Sequence, residues 1–191
     1  MKKIGIFSGS FNPIHIGHLA LANWICEYEK MDEIWFLITP LNPLKENQTL
    51  IDDQIRLEMA KAAVGDYSKF IVSDYEFHLP KPTYSIDTLD NLTKKFPEYQ
   101  FHFIIGADNW VRMHLWKDYE KLISTYPVII YPRKGFQIII PEEYQHIYAV
   151  DAPEIEISST FIRESYKQGK DVRYFLPESI RSYFINDSHL Y

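Results

Sequence analysis

Two histidines, His15 and His18, stand three residues apart around Gly17, within the string Gly9–His18, GSFNPIHIGH, which directly follows the apolar run Ile4-Gly5-Ile6-Phe7. An imidazole placed beside a phosphate can donate a hydrogen bond to its oxygens. Glycine carries no side chain to hold phosphate oxygens off the backbone, and a helix N-terminus offers free N–H groups and a partial positive charge. A short buried strand, then a turn of Gly, Ser, Asn and Pro, then a helix opening near Ile16 is the βα junction at which open α/β sheets bind nucleotides. The chemistry served by this spacing is the handling of a triphosphate. Two histidines taken alone are more often a turn cap and a helix-surface residue, and only the complete ten-residue string outweighs that reading.

A second anion site is read near the other end of the chain, in Ile157-Ser158-Ser159-Thr160-Phe161-Ile162-Arg163. Hydroxyl residues open a predicted helix there, and Ser158 or Ser159 would cap it in any protein. Arg163 follows one turn later and presents several donors to phosphate oxygens from the same end. A third signal is Pro40-Leu41-Asn42-Pro43-Leu44-Lys45, which leaves the C-terminal end of the second predicted strand, the edge at which ligands bind in such sheets. Lys45 would be a solvated loop charge in most proteins, but this position favours phosphate contact.

The elements that must position these groups alternate along the chain. Strands are expected over residues 3–7, 33–38, 69–72, 101–105, 127–130 and 146–150, and helices over 17–29, 52–64 and 85–95, with Asp52 as an N-cap. Beyond about Pro153 the pattern turns helical, over 158–168 and 177–184, with Gly169 as a stop. The expectation is an α/β fold: a Rossmann-like open parallel sheet with helices on both faces and a helical C-terminal segment. The 191 residues are read as one domain, an α/β core over 1–152 and a C-terminal segment over 153–191 that completes the triphosphate site. Its 26 acidic and 20 basic residues give a net charge of −6, which disfavours broad binding to nucleic acid or anionic lipid. A lone cysteine, Cys26, in an apolar helical pattern suits a packing role in a reducing cytoplasm. No stretch approaches a membrane span, and Ser8, Gly9, Ser10, Asn12 and Pro13 interrupt the N-terminal apolar run too early for a signal peptide.

The pair GSFNPIHIGH and ISSTFIR resembles the nucleotidyltransferase family with an H-x-G-H motif, and within it the nicotinate-nucleotide adenylyltransferases, over residues 1 to about 184. The closer match is carried by PLNPLK, by PTYSIDTL over 82–89, by Gly106-Ala107-Asp108 with Trp116 eight residues after the aspartate, and by YPRKG over 131–135. The resemblance implies ATP and nicotinate mononucleotide as substrates, with deamido-NAD and pyrophosphate as products. It implies catalytic roles for His15, His18, Lys45 and Arg163, with His18 the transition-state donor. For ATP it implies contacts from Gly9, Ser10, Phe11, His15, Gly17, His18, Gly106, Asp108, Arg133, Ile157, Ser158, Ser159 and Arg163. For the mononucleotide it implies Asn42, Lys45, Thr83, Tyr84, Ser85 and Trp116, the last by stacking on the pyridine ring. Asp108 is read as a ribose ligand, or else as a cap of the next helix. Arg56, on the predicted helix 52–64, is read first as a solvated side chain. No carboxylate cluster suited to a metal cage is seen, so magnesium is expected on the ATP.

Two positions depart from the family pattern: Ser8, where many relatives have glycine, and Asn12, where many have aspartate. Both keep the turn. Transfer to nicotinamide mononucleotide or phosphopantetheine stays open, as do a non-catalytic ATP-sensing module and a homo-oligomer. A class I aminoacyl-tRNA synthetase shares the HIGH string but not this size, acidic charge or lack of a lysine-rich loop.

Overall fold

The apolar runs become the strands of one parallel sheet. The computed structural model describes residues 1–40 and 50–186. The strands are β1 (Lys2–Gly9), β2 (Glu33–Ile38), β3 (Phe70–Ser73), β4 (Tyr99–Gly106), β5 (Val128–Tyr131) and β6 (Ile147–Ala149), all parallel, in the order β3-β2-β1-β4-β5-β6. Such strands are covered on both faces, which is why they read as continuous Ile, Val and Phe rather than as an alternation. The order reverses between β1 and β4, so a crevice opens beyond their C-terminal ends. Gly9 and Gly106, the last residues of those two strands, sit at that point.

Helices α1 (Ile16–Tyr28) and α2 (Asp53–Val64) pack one face of the sheet with the C-terminal helices α6 (Ser159–Lys167) and α7 (Arg181–Asn186), over a core that includes Phe7, Ile34, Phe36, Ile104 and Ile129. Helices α3 (Ser85–Lys95), α4 (Ala107–Val111) and α5 (Tyr119–Thr125) cover the other face, over Ile4, Ile6, Phe103, Ile105, Val128 and Ile130. Each fully buried side chain of this kind stabilises by roughly 1.5–3 kcal/mol. Asp52 caps α2 by accepting from the N–H groups of Gln54 at 2.9 Å and Ile55 at 3.3 Å, and Gly65 ends it with φ of 60°. Cys26 is buried, its thiol 3.5 Å from the carbonyl of Met31, which is a packing position.

Two details differ from the sequence reading. The β4–β5 crossover holds α4, a 3-10 turn (Met113–Leu115) and α5, pieces too short for a 3.6-residue period to show. The helix expected over 177–184 opens as a 3-10 turn (Glu178–Ile180) before α7. No helix among the described residues is long and apolar enough to cross a membrane.

Candidate active site

The turn between β1 and α1 is held from below by Phe11. Its φ is 42°, a left-handed conformation costing a non-glycine residue about 1–2 kcal/mol, and its buried ring meets Phe7, Phe36 and His18 edge-on at 5.6, 5.7 and 5.0 Å between centroids. Those contacts offset the backbone cost and lift the residues that follow to the sheet edge. His15 takes the N-cap position of α1, and its N–H donates to Nδ1 of His18 at 3.2 Å. The two imidazoles lie stacked, 3.6 Å apart and 26° from parallel. Gly17 leaves room for this stack, because a Cβ there would crowd Nδ1 of His15 at 3.0 Å and Cγ2 of Ile155 at 3.1 Å.

His15 and His18 differ in burial. His15 is buried, and desolvation, helped by the nearby Arg133 cation, brings its pKa down to about 3. It is a neutral ring at physiological pH, and its buried Nδ1 has no protein partner. His18 is half-buried on the cavity side. That cavity is lined by His15, Gly17, His18, Tyr131, Arg133 and Ile157, with Ser158 on the adjoining groove.

Arg133 donates to the Tyr131 hydroxyl at 3.2 Å, and its Nε lies 3.9 Å from Oδ1 of Asp108. Gly106 makes room for this group, since a Cβ there would fall 2.4 Å from Oδ1 of Asp108 and 3.1 Å from the Tyr131 ring. Asp108 stands in the first turn of α4, whose N-cap position is taken by Gly106.

The C-terminal helix meets the same turn. Ser158 caps α6 by accepting from the N–H of Phe161 at 3.1 Å. Ser159 Oγ donates to the Pro13 carbonyl at 2.9 Å, and Arg163 donates to the Asn12 carbonyl at 2.8 Å and to Thr160 Oγ1 at 3.2 Å. Ser159 and Arg163 therefore fasten the turn that carries the histidines. Asn12 itself is buried, its Oδ1 accepting from the N–H of Ile51 at 3.1 Å.

A second cavity, about 160 Å³, opens on the other side of Tyr131. Gly9 and Ser10 line it together with Thr83, Tyr84, Ser85 and Trp116. Residues 83–85 enter α3, with Tyr84 at its N-cap position. The Trp116 ring packs edge-on against Phe103 at 6.0 Å, and its buried Nε1 has no protein partner. Asn42 and Lys45 lie outside the described residues.

The structure corrects the reading of Arg56. Its side chain is fully buried, not solvated: Nε donates to the Ile51 carbonyl at 3.0 Å, and one terminal nitrogen donates to the carbonyls of Thr39, at 3.0 Å, and Ser10, while the other pairs with Asp53. It thereby joins the phosphate-side turn to the end of β2. Two further residues were not singled out by sequence. Tyr131, within YPRKG, stands between the cavities. Glu76, on the 3-10 turn Tyr75–His78, is a buried carboxyl held by the hydroxyls of Ser8 and Thr88, each at 3.2 Å, and no local motif marks it.

A parallel sheet in this order, with stacked imidazoles at the first helix start and a cavity on each side of the switch point, defines a nucleotide-binding α/β protein of the nucleotidyltransferase class. The model of the cytidylyltransferase-like family matches residues 6–165, and the chain belongs to that family. It is 49% identical to a probable nicotinate-nucleotide adenylyltransferase of Bacteroides fragilis over 93% of this chain and 89% of that one, and 49% identical to one of Bacteroides thetaiotaomicron over 95% and 90%. Among solved structures it is similar to the Plasmodium falciparum nicotinic acid mononucleotide adenylyltransferase complexed with NaAD, at 25% identity and TM-score 0.80 over the whole of both chains.

Proposed function

We propose that the protein transfers the adenylyl group of magnesium-ATP to nicotinate mononucleotide, giving deamido-NAD and pyrophosphate in NAD biosynthesis. The observation that carries this reading is the pair of cavities meeting at Tyr131, one bordered by His15, His18 and Arg133 and the other by Thr83, Tyr84, Ser85 and Trp116. The names of the full-length relatives support the same choice.

The mononucleotide phosphate is already an anionic nucleophile. One of its oxygens attacks the α-phosphorus, the bond from that phosphorus to the αβ bridging oxygen breaks, and pyrophosphate departs with the magnesium ion. No general base is needed; the protein positions the groups in line and stabilises the charge that builds on the phosphates. His18 is the donor whose hydrogen bond strengthens in the transition state. Neutral His15 offers one N–H and holds the His18 ring by stacking. Arg163 and Ser159 set the turn and, with Ser158 at the start of α6, face the departing pyrophosphate, so that segment 153–191 completes the ATP site. Gly17, Ile157 and Arg133 line the ATP cavity, Gly9 and Ser10, which line the second cavity, are assigned to ATP with Phe11 and Gly106 on their motifs alone, and Asp108 accepts from ribose hydroxyls. Trp116 stacks on the pyridine ring and aims its unpartnered N–H at a ligand acceptor. Asn42 and Lys45 are assigned to the incoming phosphate on their motif alone. A cytoplasmic setting fits the unpaired Cys26.

The test is pyrophosphate release from magnesium-ATP with nicotinate mononucleotide, nicotinamide mononucleotide and phosphopantetheine offered separately. A large preference for the first is expected. Preference for another acceptor moves the enzyme within its family, and silence with all three favours an ATP sensor.

A further inference from the structure

The second cavity carries charge of both signs, and their placement bears on which pyridine it takes. Among the described residues of its lining, Lys117 is the cation and Glu76 the carboxyl. Glu76 is buried, held by the hydroxyls of Ser8 and Thr88, and any charge on it opposes an acidic group on a ligand. Lys117 follows Trp116, in the link between the 3-10 turn Met113–Leu115 and α5. Its ammonium stands 4.8 Å from the centre of the Tyr84 ring, which belongs to the same lining. Nζ also donates to Asp87 at 2.8 Å, and this bond holds the ammonium charged by raising its pKa. Asp87 is not part of the lining, so the cation lies between that carboxylate and the cavity. An ammonium has three donors, and the pair with Asp87 leaves donors for an acceptor inside. Thr83, Tyr84 and Ser85 form the adjoining wall at the start of α3, where a helix N-terminus also favours an anion.

The two pyridine mononucleotides left open by the sequence differ in one ring substituent. The carboxylate of nicotinate is an anion whose oxygens only accept, whereas the carboxamide of nicotinamide is neutral and its NH2 only donates. Opposite an ammonium, which can only donate, the carboxylate makes the stronger, charge-assisted hydrogen bond. We propose that Lys117 is a specificity-determining residue: its ammonium meets the ring carboxylate of nicotinate mononucleotide and so favours the acid over the amide. This selection rests on the pyridine reading of the second cavity and adds to whatever Lys45, outside the described residues, contributes.

The test measures kcat/KM for nicotinate and nicotinamide mononucleotide in the full chain as wild type and three variants. Lys117→Met keeps the stem without the charge, Lys117→Arg keeps the charge, and Asp87→Asn breaks the ion pair but keeps the cation. KM for ATP and Tm accompany each. The Lys117 side chain is 42% exposed, so water screens the contact. Lys117→Met should therefore lower the nicotinate-over-nicotinamide ratio about fivefold, through KM for nicotinate mononucleotide, with KM for ATP unchanged. Lys117→Arg and Asp87→Asn should keep most of the ratio. An unchanged ratio in Lys117→Met, or equal weakening of both pyridines, overturns the proposal. An equal loss of the ratio in Asp87→Asn overturns it too, since the ion pair would then act as a strap on α3. Should Lys117→Met not fold, Lys117→Gln is judged by the same outcomes. A wild type that prefers nicotinamide mononucleotide or phosphopantetheine overturns the nicotinate reading and this inference with it, whereas a nicotinate preference untouched by Lys117→Met overturns only the inference.

Discussion

At the scale of single residues, the two histidines of one motif are given different work by their surroundings. His15 is buried beside Arg133 and titrates near pH 3, whereas His18 is half-buried on the cavity. His18→Ala should lower kcat by two or more powers of ten, a loss of about 3 kcal/mol of transition-state stabilisation, with circular dichroism unchanged. Wild-type turnover in the folded variant would remove His18 from the chemistry. Arg56 shows the opposite case, a charge with a wholly structural setting. Arg56→Ala leaves the carbonyls of Ile51, Ser10 and Thr39 without their donor and opens a cavity, at a cost of about 3–5 kcal/mol. Arg56→Lys should recover only part of this, because an ammonium cannot reproduce the guanidinium fork. Thermal melting decides it, and a wild-type Tm in Arg56→Ala contradicts the assignment.

At the scale of elements, α6 acts on the site through the turn that it fastens. Its Ser159 and Arg163 reach carbonyls of Pro13 and Asn12 that lie 146 and 151 residues away along the chain. Removing one such bond should cost roughly 1–3 kcal/mol and loosen the stacked histidines. Ser159→Ala and Arg163→Ala are therefore expected to raise KM for ATP and lower kcat together, Arg163→Ala by the larger factor. A change in KM for the mononucleotide alone would show that α6 serves the other cavity instead. The start of α6 was legible from the Ser-Ser pair, since capping is local. Which serine caps and which reaches the turn was not, because that follows from docking α6 against the turn between β1 and α1.

At the scale of the whole molecule, acid stability reports the buried imidazoles. His15 and His102 have folded pKa values of about 3 and about 4, both below 6.5, through burial, with a neighbouring cation, Arg133 and Lys3 respectively, adding to it. The unfolded chain binds more protons than the folded one below pH 6.5, so stability is complete above that pH and falls as pH drops toward 4 and 3. Each fully engaged imidazole steepens the decline by about 1.4 kcal/mol per pH unit. Glu76, raised by burial, acts in the opposite direction just above pH 4.5 and flattens that part of the curve. Urea melts at pH 7, 6 and 5 should show the decline, and His102→Leu should make it shallower. Equal stability at pH 7 and pH 5 in wild type would mean that these rings meet solvent or a partner.

The sequence by itself determined the βα junction at Gly9–His18, the alternation that makes a parallel sheet, the Asp52 cap and a serine cap at Ser158 or Ser159, and the family, because turn chemistry, capping and hydrophobic period are written in neighbouring residues. It left Arg56 and Glu76 unread. Arg56 bonds Ser10 across 46 positions and Glu76 bonds Ser8 across 68, and no local pattern distinguishes such side chains from solvated ones. Only the tertiary structure decided that His15 is buried and His18 half-buried at one cavity, that Tyr131 divides two cavities, and that the buried carboxyl of Glu76 borders the second. Burial sets all three, and burial is fixed only when strands and helices distant in sequence close over the same few atoms.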